Sequence, residues 1–513
     1  MMSVQAPATE SVSRTQAAVP PMEINRSSCL PVTMLLASSV GWLVVASVLG
    51  LVSAIKLHAP GFPGFLSGAS WLTYGRVYPA YSFVLIYGFA ALAGLGLGLW
   101  ILARLSRAAV FGPVATTIAG LFWNLGVLVG TLGILAGAGS GYEGLEVPGF
   151  ASPILLAAYL AIALCATLTF HFRSEREMYV SQWYLLMALF WFPWIFSTAE
   201  MLLVYFPSRG VAQAVIAGWF THNLYWIWLA SFGLAAIFYF LPKLAGRPLH
   251  SRGLAMFGFW SLACFGGWGG VQGGTPVPSW LASVSGAAGI MMLVPLLAVA
   301  TNWHLTMKGT DQKLGPNPIL PFFKFGAFCF IVASLLQIIS LLRAPSSVSA
   351  HHQDLSETIQ STFAVVFGLL GQIAEVARFT HYGNGVSSLF LFGFFVMVAV
   401  GGIYYVVPRL TQCEWPAPAL MKFHFRCGAA GAAFLGASLI IGGIRQGAAM
   451  NNPNLAFLDT VRGTVPFLGM GTLGMLLLLV GNCALAINFA RLLMNCRCSE
   501  CCPSPITSPG GRA

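Results

Sequence analysis

The chain is dominated by long apolar runs separated by short polar connections carrying glycine or proline. A helix of about twenty residues crosses a ~30 Å hydrocarbon core. Twelve runs of that kind recur, at roughly 31–55, 78–103, 110–138, 151–172, 180–206, 215–242, 253–271, 279–302, 319–342, 379–408, 419–444 and 465–495. The pattern predicts an all-α integral membrane protein, a twelve-transmembrane-helix bundle occupying residues 31–495. Residues 1–30 are polar and rich in Ala, Pro and Ser, which predicts a disordered tail ahead of an uncleaved first helix. Residues 496–513 form a second, cysteine-rich tail. Between the ninth and tenth runs, the polar loop "RAPSSVSAHHQDLSETIQ" leads into the apolar "STFAVVFGLLGQIAEVA". The latter is either a re-entrant segment or a leading extension of helix ten.

Composition agrees: only 8% of the 513 residues are charged and mean hydropathy is +0.80. Basic residues set the orientation. With loops assigned alternately to two faces, the face carrying both termini holds 18 of the 25 Lys and Arg residues, so both termini are expected in the cytoplasm. The net charge of +11 is thereby explained without a nucleic-acid partner, since no basic patch sits in a soluble domain. No soluble enzymatic domain is expected, so chemistry must lie inside or at the rim of the bundle.

Polar residues within apolar runs are therefore the informative ones. His222 lies twenty residues before Pro242, or ~30 Å up its helix, and His381 lies twenty-seven before Pro408, ~40 Å up the tenth. Tyr81 opens the second run and Gln272 closes the seventh, both toward the outer face. These four residues are predicted to converge in the outer part of one bundle. An intramembrane histidine marks a functional site by default; the alternative is a hydrogen bond to a neighbouring helix. Glu200 suits either proton relay or a cross-helix hydrogen bond. Glu375 is expected to pair with Arg378 one turn away. His58, His250, His351 and His352 read as loop residues, and His171, His304 and His424 as solvated residues at cytoplasmic helix ends.

With these residues placed, the chain resembles the catalytic subunit I of heme-copper oxidases, most closely the cbb-type cytochrome c oxidases, over nearly its whole length after residue 31. The matching stretches are "YGRVYPAYS", "EREMYVSQWYLLMALFW", "WFTHNLYWIWLASFGLAAIFYFLPKLAGRPLHS", "FWSL", "VPSW", "HYGNG", "YYVVPRL" and "KFHF", in the family's order. The resemblance implies an oxygen-reducing centre of one high-spin heme and one copper ion, fed by a low-spin heme. It places a His-X-His pair on helix ten, one histidine for each heme. His381 falls on the first, the high-spin axial ligand, and Gly383 on the second. Tyr81 falls where the low-spin heme takes its other ligand. His222 falls on a copper ligand, while Gln272 and Gly273 occupy the positions of the other two. The redox tyrosine of helix seven is replaced near Gly266.

The resemblance thus implies a divergent subunit I of a respiratory or electron-transfer complex that has lost its copper and low-spin heme ligands. The expectation is a non-catalytic scaffold holding at most one b-type heme on His381, with His222 on the distal side and no copper. Its partners would be other membrane or c-type cytochrome subunits in a bacterial cytoplasmic membrane. The alternatives are an active terminal oxidase or nitric-oxide reductase, and transport through the vacated cofactor cavities.

The tail "NCRCSECCPSPITSPGGRA" holds Cys496, Cys498, Cys501 and Cys502. On the cytoplasmic side these thiols are expected to be reduced, and their spacing matches no dependable metal motif. The other cysteines, such as Cys165, Cys264 and Cys329, read as small packing residues.

Overall fold

The computed structural model describes residues 19–64, 68–271, 276–309, 317–341, 372–377 and 379–496. Among them there is no strand. Eleven helices are long and apolar enough to span a bilayer: α1 (Pro21–His58), α2 (Tyr74–Ser106), α3 (Pro113–Ala136), α4 (Ser152–His171), α5 (Val180–Tyr205), α6 (Val211–Ala245), α8 (Ser279–Met307), α9 (Leu320–Ile339), α10 (His381–Thr411), α11 (Pro418–Met450) and α12 (Phe457–Asn495). The seventh predicted element, α7 (Arg252–Gly266), has only 15 residues. Its glycine-rich C-terminus, Gly266 to Gly270, ends it early, as a residue without Cβ favours irregular backbone over helix.

Two boundaries differ from the hydropathy pattern. The first helix starts at Pro21 rather than 31, because proline at the first helical position needs no hydrogen-bond partner for its nitrogen. At the other end Cys496 is ordered and buried and forms a disulfide with Cys413, in the connection between α10 and α11. Cys29 is also disulfide-bonded, its Sγ 3.5 Å from the carbonyl oxygen of Leu410. The reduced Cys496 and the packing role of Cys29 and Cys413 are therefore corrected: the end of α12 returns to the α10 terminus, which a linear spacing does not reveal. Cys498, Cys501, Cys502, His351 and His352 lie outside the described residues.

Burial separates a central trio from an outer ring. In their most apolar eighteen-residue stretches, α2, α6 and α10 are 100%, 94% and 89% buried, against 39–50% for the other spanning helices. Helices that are apolar all round belong in the middle, and those with one inward face belong at the lipid boundary. Close packing in the middle depends on glycine facing aromatic rings. Phe394 of α10 lies against Gly233 of α6, where a Cβ would overlap the ring, and packs at a tilt on Phe330 of α9 with 4.7 Å between centroids. Small residues let membrane helices approach this closely.

Polar side chains tie helices of the ring to one another. Asn482 Nδ2 donates to Ser47 Oγ (2.8 Å) between α12 and α1, and Trp42 Nε1 donates to Asn124 Oδ1 (2.8 Å) between α1 and α3. Such bonds average about 0.6 kcal/mol in membrane bundles. Two further histidines make such contacts, His58, expected in a loop, and His424, expected to be solvated. His58 ends α1 with Nε2 3.0 Å from Thr472 Oγ1. His424 is buried in α11, its Nδ1 3.1 Å from Tyr404 Oη. Both are corrected: His58 meets a helix distant in sequence, and His424 turns inward onto the preceding helix. His171, His250 and His304 are exposed.

Candidate functional site

His222 sits on α6 just before a stretch wound more loosely than an α-helix, Leu224–Leu229. Its Nε2 lies 3.1 Å from the carbonyl oxygen of Gly266 at the end of α7. A Cβ on Gly269 would overlap the imidazole. Trp219 Nε1 makes a second tie to this end of α7, donating to Gly267 O (3.0 Å); alongside, Asn223 Nδ2 donates to Trp219 O within α6 (2.8 Å), and Trp191 Nε1 of α5 donates to Asn223 Oδ1 (3.1 Å). Gly270 turns the chain back over α6 with φ +102°, a backbone state that glycine reaches without strain. The histidine is thus part of a polar seam that fastens the glycine-rich end of α7 to α6. Beside it lies a small cavity with mainly apolar walls, among them Trp226, Met292 and Phe330.

His381 is the first residue of α10. Thr380 caps the helix, accepting from Tyr382 N at 3.3 Å, and His381 N donates to Gln446 Oε1 of α11 (3.1 Å). The imidazole lines a different, more polar cavity, set among α1, α2, α6, α10, α11 and α12. Tyr81 lines the same space. Its ring fits against Gly50 of α1, where a Cβ would come within 2.9 Å of the ring carbons. Gly383, by contrast, is exposed, and a Cβ there would meet nothing within 4 Å.

The structure therefore brings Tyr81 and His381 together and leaves His222 in a second cavity, while Gly383 faces neither. The single outer cluster predicted from helix depth is divided in two. Depth along a helix gives height in the bundle and leaves the direction around the axis open. Gln272, Gly273 and Arg378 lie outside the described residues; Glu375 is exposed. Glu200 is buried in α5 with both carboxyl oxygens lacking a hydrogen-bond partner.

Several residues of the larger cavity were not singled out in the sequence: Tyr74, Tyr78, Tyr225, Glu143, Asn384, Ser387 and Ser388. Their signal was present as periodicity. Tyr74, Tyr78 and Tyr81 stand at i, i+4 and i+7, and His381, Asn384 and Ser388 at i, i+3 and i+7, each set on one helical face. Glu143 lies at the mouth on the loop between α3 and α4. Three residues on, Glu146 is 3% exposed, and burial pushes its carboxyl up to about 7, against smaller opposing effects of its own and the Gly144 backbone amide and the Ser82 hydroxyl. Looser π-type turns occur in α2, α6 and α10 directly past these cavity residues, at Val84–Ala90, Leu224–Leu229 and Leu389–Val396. Such turns shift the direction of the side chains that follow and often occur at functional sites.

Comparison with known proteins fixes the family. The model of the cytochrome c and quinol oxidase polypeptide I family matches residues 31–374. The chain belongs to this family. Among its relatives, a cytochrome c oxidase subunit 1 homolog of Azorhizobium caulinodans is 22% identical, covering 88% of this chain and 79% of that protein. The cbb3-type cytochrome c oxidase subunit CcoN1 of Stutzerimonas stutzeri is 23% identical, covering 90% and 94% respectively. A heme-copper terminal oxidase solved as a dimer superposes with a TM-score of 0.66 at 13% identity, over 92% of this chain and 84% of that one. At that identity the superposition supports the fold. The chain is a multi-pass membrane protein with the heme-copper oxidase subunit I fold, from a family that uses heme cofactors and, in its cbb3-type members, is part of a multi-subunit oxidase.

Proposed function

We propose that this member of the polypeptide I family is a divergent, non-catalytic scaffold subunit of a respiratory or electron-transfer complex in a bacterial cytoplasmic membrane. Other membrane or c-type cytochrome subunits would be its partners, and both termini would face the cytoplasm. The observation that carries this is the hydrogen bond from His222 to the Gly266 carbonyl. An imidazole held in a helix–helix seam, with Gly269 packed on its ring, is committed to structure. Copper favours several converging imidazoles, and the described residues do not fit that demand.

The heme positions fit no better as a pair. Gly383 offers no donor and lies outside the cavity that holds Tyr81. Tyrosine can ligate heme iron, but a phenol there has only His381 opposite it. The most this chain's own side chains support is one b-type heme on His381. Without a second heme and a copper there is no route for the four electrons that oxygen reduction requires, so no catalytic step is assigned.

The test is a pyridine hemochrome spectrum with copper quantification on detergent-purified protein. Zero or one b-type heme without copper is the expected result, and a single band should vanish in His381→Ala. Two hemes, stoichiometric copper and cyanide-sensitive oxygen consumption would establish an active terminal oxidase instead.

A further inference from the structure

The larger cavity has a chemistry that the scaffold role does not use. Its outer wall is aromatic: Tyr74 and Tyr78 stack with centroids 5.4 Å apart, Tyr78 and Tyr81 follow at 6.0 Å, and Tyr225 adds a fourth ring from α6. The facing wall on α10 offers the Asn384 amide and the hydroxyls of Ser387 and Ser388. Charge is one-sided. Glu143 stands at the mouth, and no Lys or Arg is among the lining residues. Three residues on, the buried Glu146 has an Oε2 without a hydrogen-bond partner.

We propose that this cavity binds a small organic cation, an amine or quaternary ammonium compound, held by the faces of the tyrosine rings and by the Glu143 carboxylate. Aromatic faces attract cations through the ring quadrupole, and cages of this composition recognise alkylated ammonium groups. Two other occupants match the walls less well. A heme brings two propionates, which would enter a cavity whose one lining carboxylate is Glu143 and whose lining residues include no Lys or Arg. A bare divalent cation takes six or more oxygen ligands, and among the described residues no three His, Cys, Asp or Glu side chains form a metal-binding group.

This inference rests on the scaffold reading, because a heme on His381 would fill the same space. The experiment therefore begins with the hemochrome spectrum of the purified full-length protein. Benzylammonium is then titrated by calorimetry beside benzyl alcohol, its neutral counterpart, with tetramethylammonium as a second probe. The expected result is heme-free protein that binds both cations, binds benzyl alcohol at least tenfold more weakly, and loses tenfold or more in affinity for benzylammonium in Glu143→Gln. Tyr78→Phe, which keeps the ring, should bind like wild type, and Tyr78→Leu should not. Equal affinity for benzyl alcohol, or no binding by heme-free protein, overturns the cation site while leaving the scaffold role intact. One heme lost in His381→Ala also overturns the cation site alone. Two hemes with copper overturn both.

Discussion

The imidazole of His222 and the carbonyl of Gly266 meet at 3.1 Å across the α6–α7 boundary. This contact links the irregular, glycine-rich end of the shortest predicted span to a central helix. A histidine in that position contributes to the bundle whether or not a metal ever binds.

His222→Ala should therefore lower thermal stability and leave copper content unchanged. Loss of a buried hydrogen bond costs about 1 kcal/mol, with a further cost for the space vacated. Melting curves and elemental analysis of wild type and variant check this together. Stoichiometric copper in wild type that disappears from the variant would refute the structural role.

The placement of Tyr81 and Gly383 makes opposite forecasts for two added histidines. In a Glu143→Gln background, which removes the charge facing a propionate, Tyr81→His puts a second imidazole into the cavity of His381 and should raise b-type heme content with a low-spin spectrum. Gly383→His should leave heme content at the wild-type level, because its side chain enters open space. The reverse outcome would mean that residues 381 and 383 are turned differently about the helix axis.

Stability should depend on pH through Glu146. Its folded-state carboxyl stands near 7 against an ordinary 4.5, so between those values the folded protein holds a proton that the unfolded chain releases. Stability is then greatest at the acid end, falls as pH rises from about 4.5, and levels off above 7. The total is of order 3 kcal/mol at most. Glu143, Tyr78, Tyr87 and Tyr225 lie within electrostatic reach of this group, and none is cationic. Glu146→Gln should flatten the dependence of melting temperature on pH between 5 and 8; an unchanged slope would assign it to another group.

The Cys413–Cys496 bridge spans a sequence separation of 83 residues. Closing a loop of that length stabilises a protein by about 2–4 kcal/mol. Cys496→Ser should lower the melting temperature under non-reducing conditions, part of the way to reduced wild type, which also loses the bridge of Cys29. Thiol counting with and without reductant reads the bridge directly, and identical counts would show it absent.

The amino-acid sequence by itself determined the class of this protein. Runs such as 379–408 and 419–444 have no soluble alternative, because only a membrane or a bundle interior accepts so many apolar residues in succession. The order of short motifs from "YGRVYPAYS" to "KFHF" also sufficed for the family. What the sequence left open was rotation and return. Tyr81, His222 and His381 were all legible as outer-end residues, but one residue alters direction by about 100° around a helix, and only packing against Gly50, Gly269 and Gln446 decides where each side chain points. The tyrosine periodicity on α2 was visible, yet a row of tyrosines becomes a cavity wall only when α1, α10 and the Glu143 loop enclose the same space. His424 and Cys496 show the same limit. Each meets a partner brought close by the fold, Tyr404 on the preceding helix and Cys413 at the end of α10, and helix–helix docking alone decides those contacts.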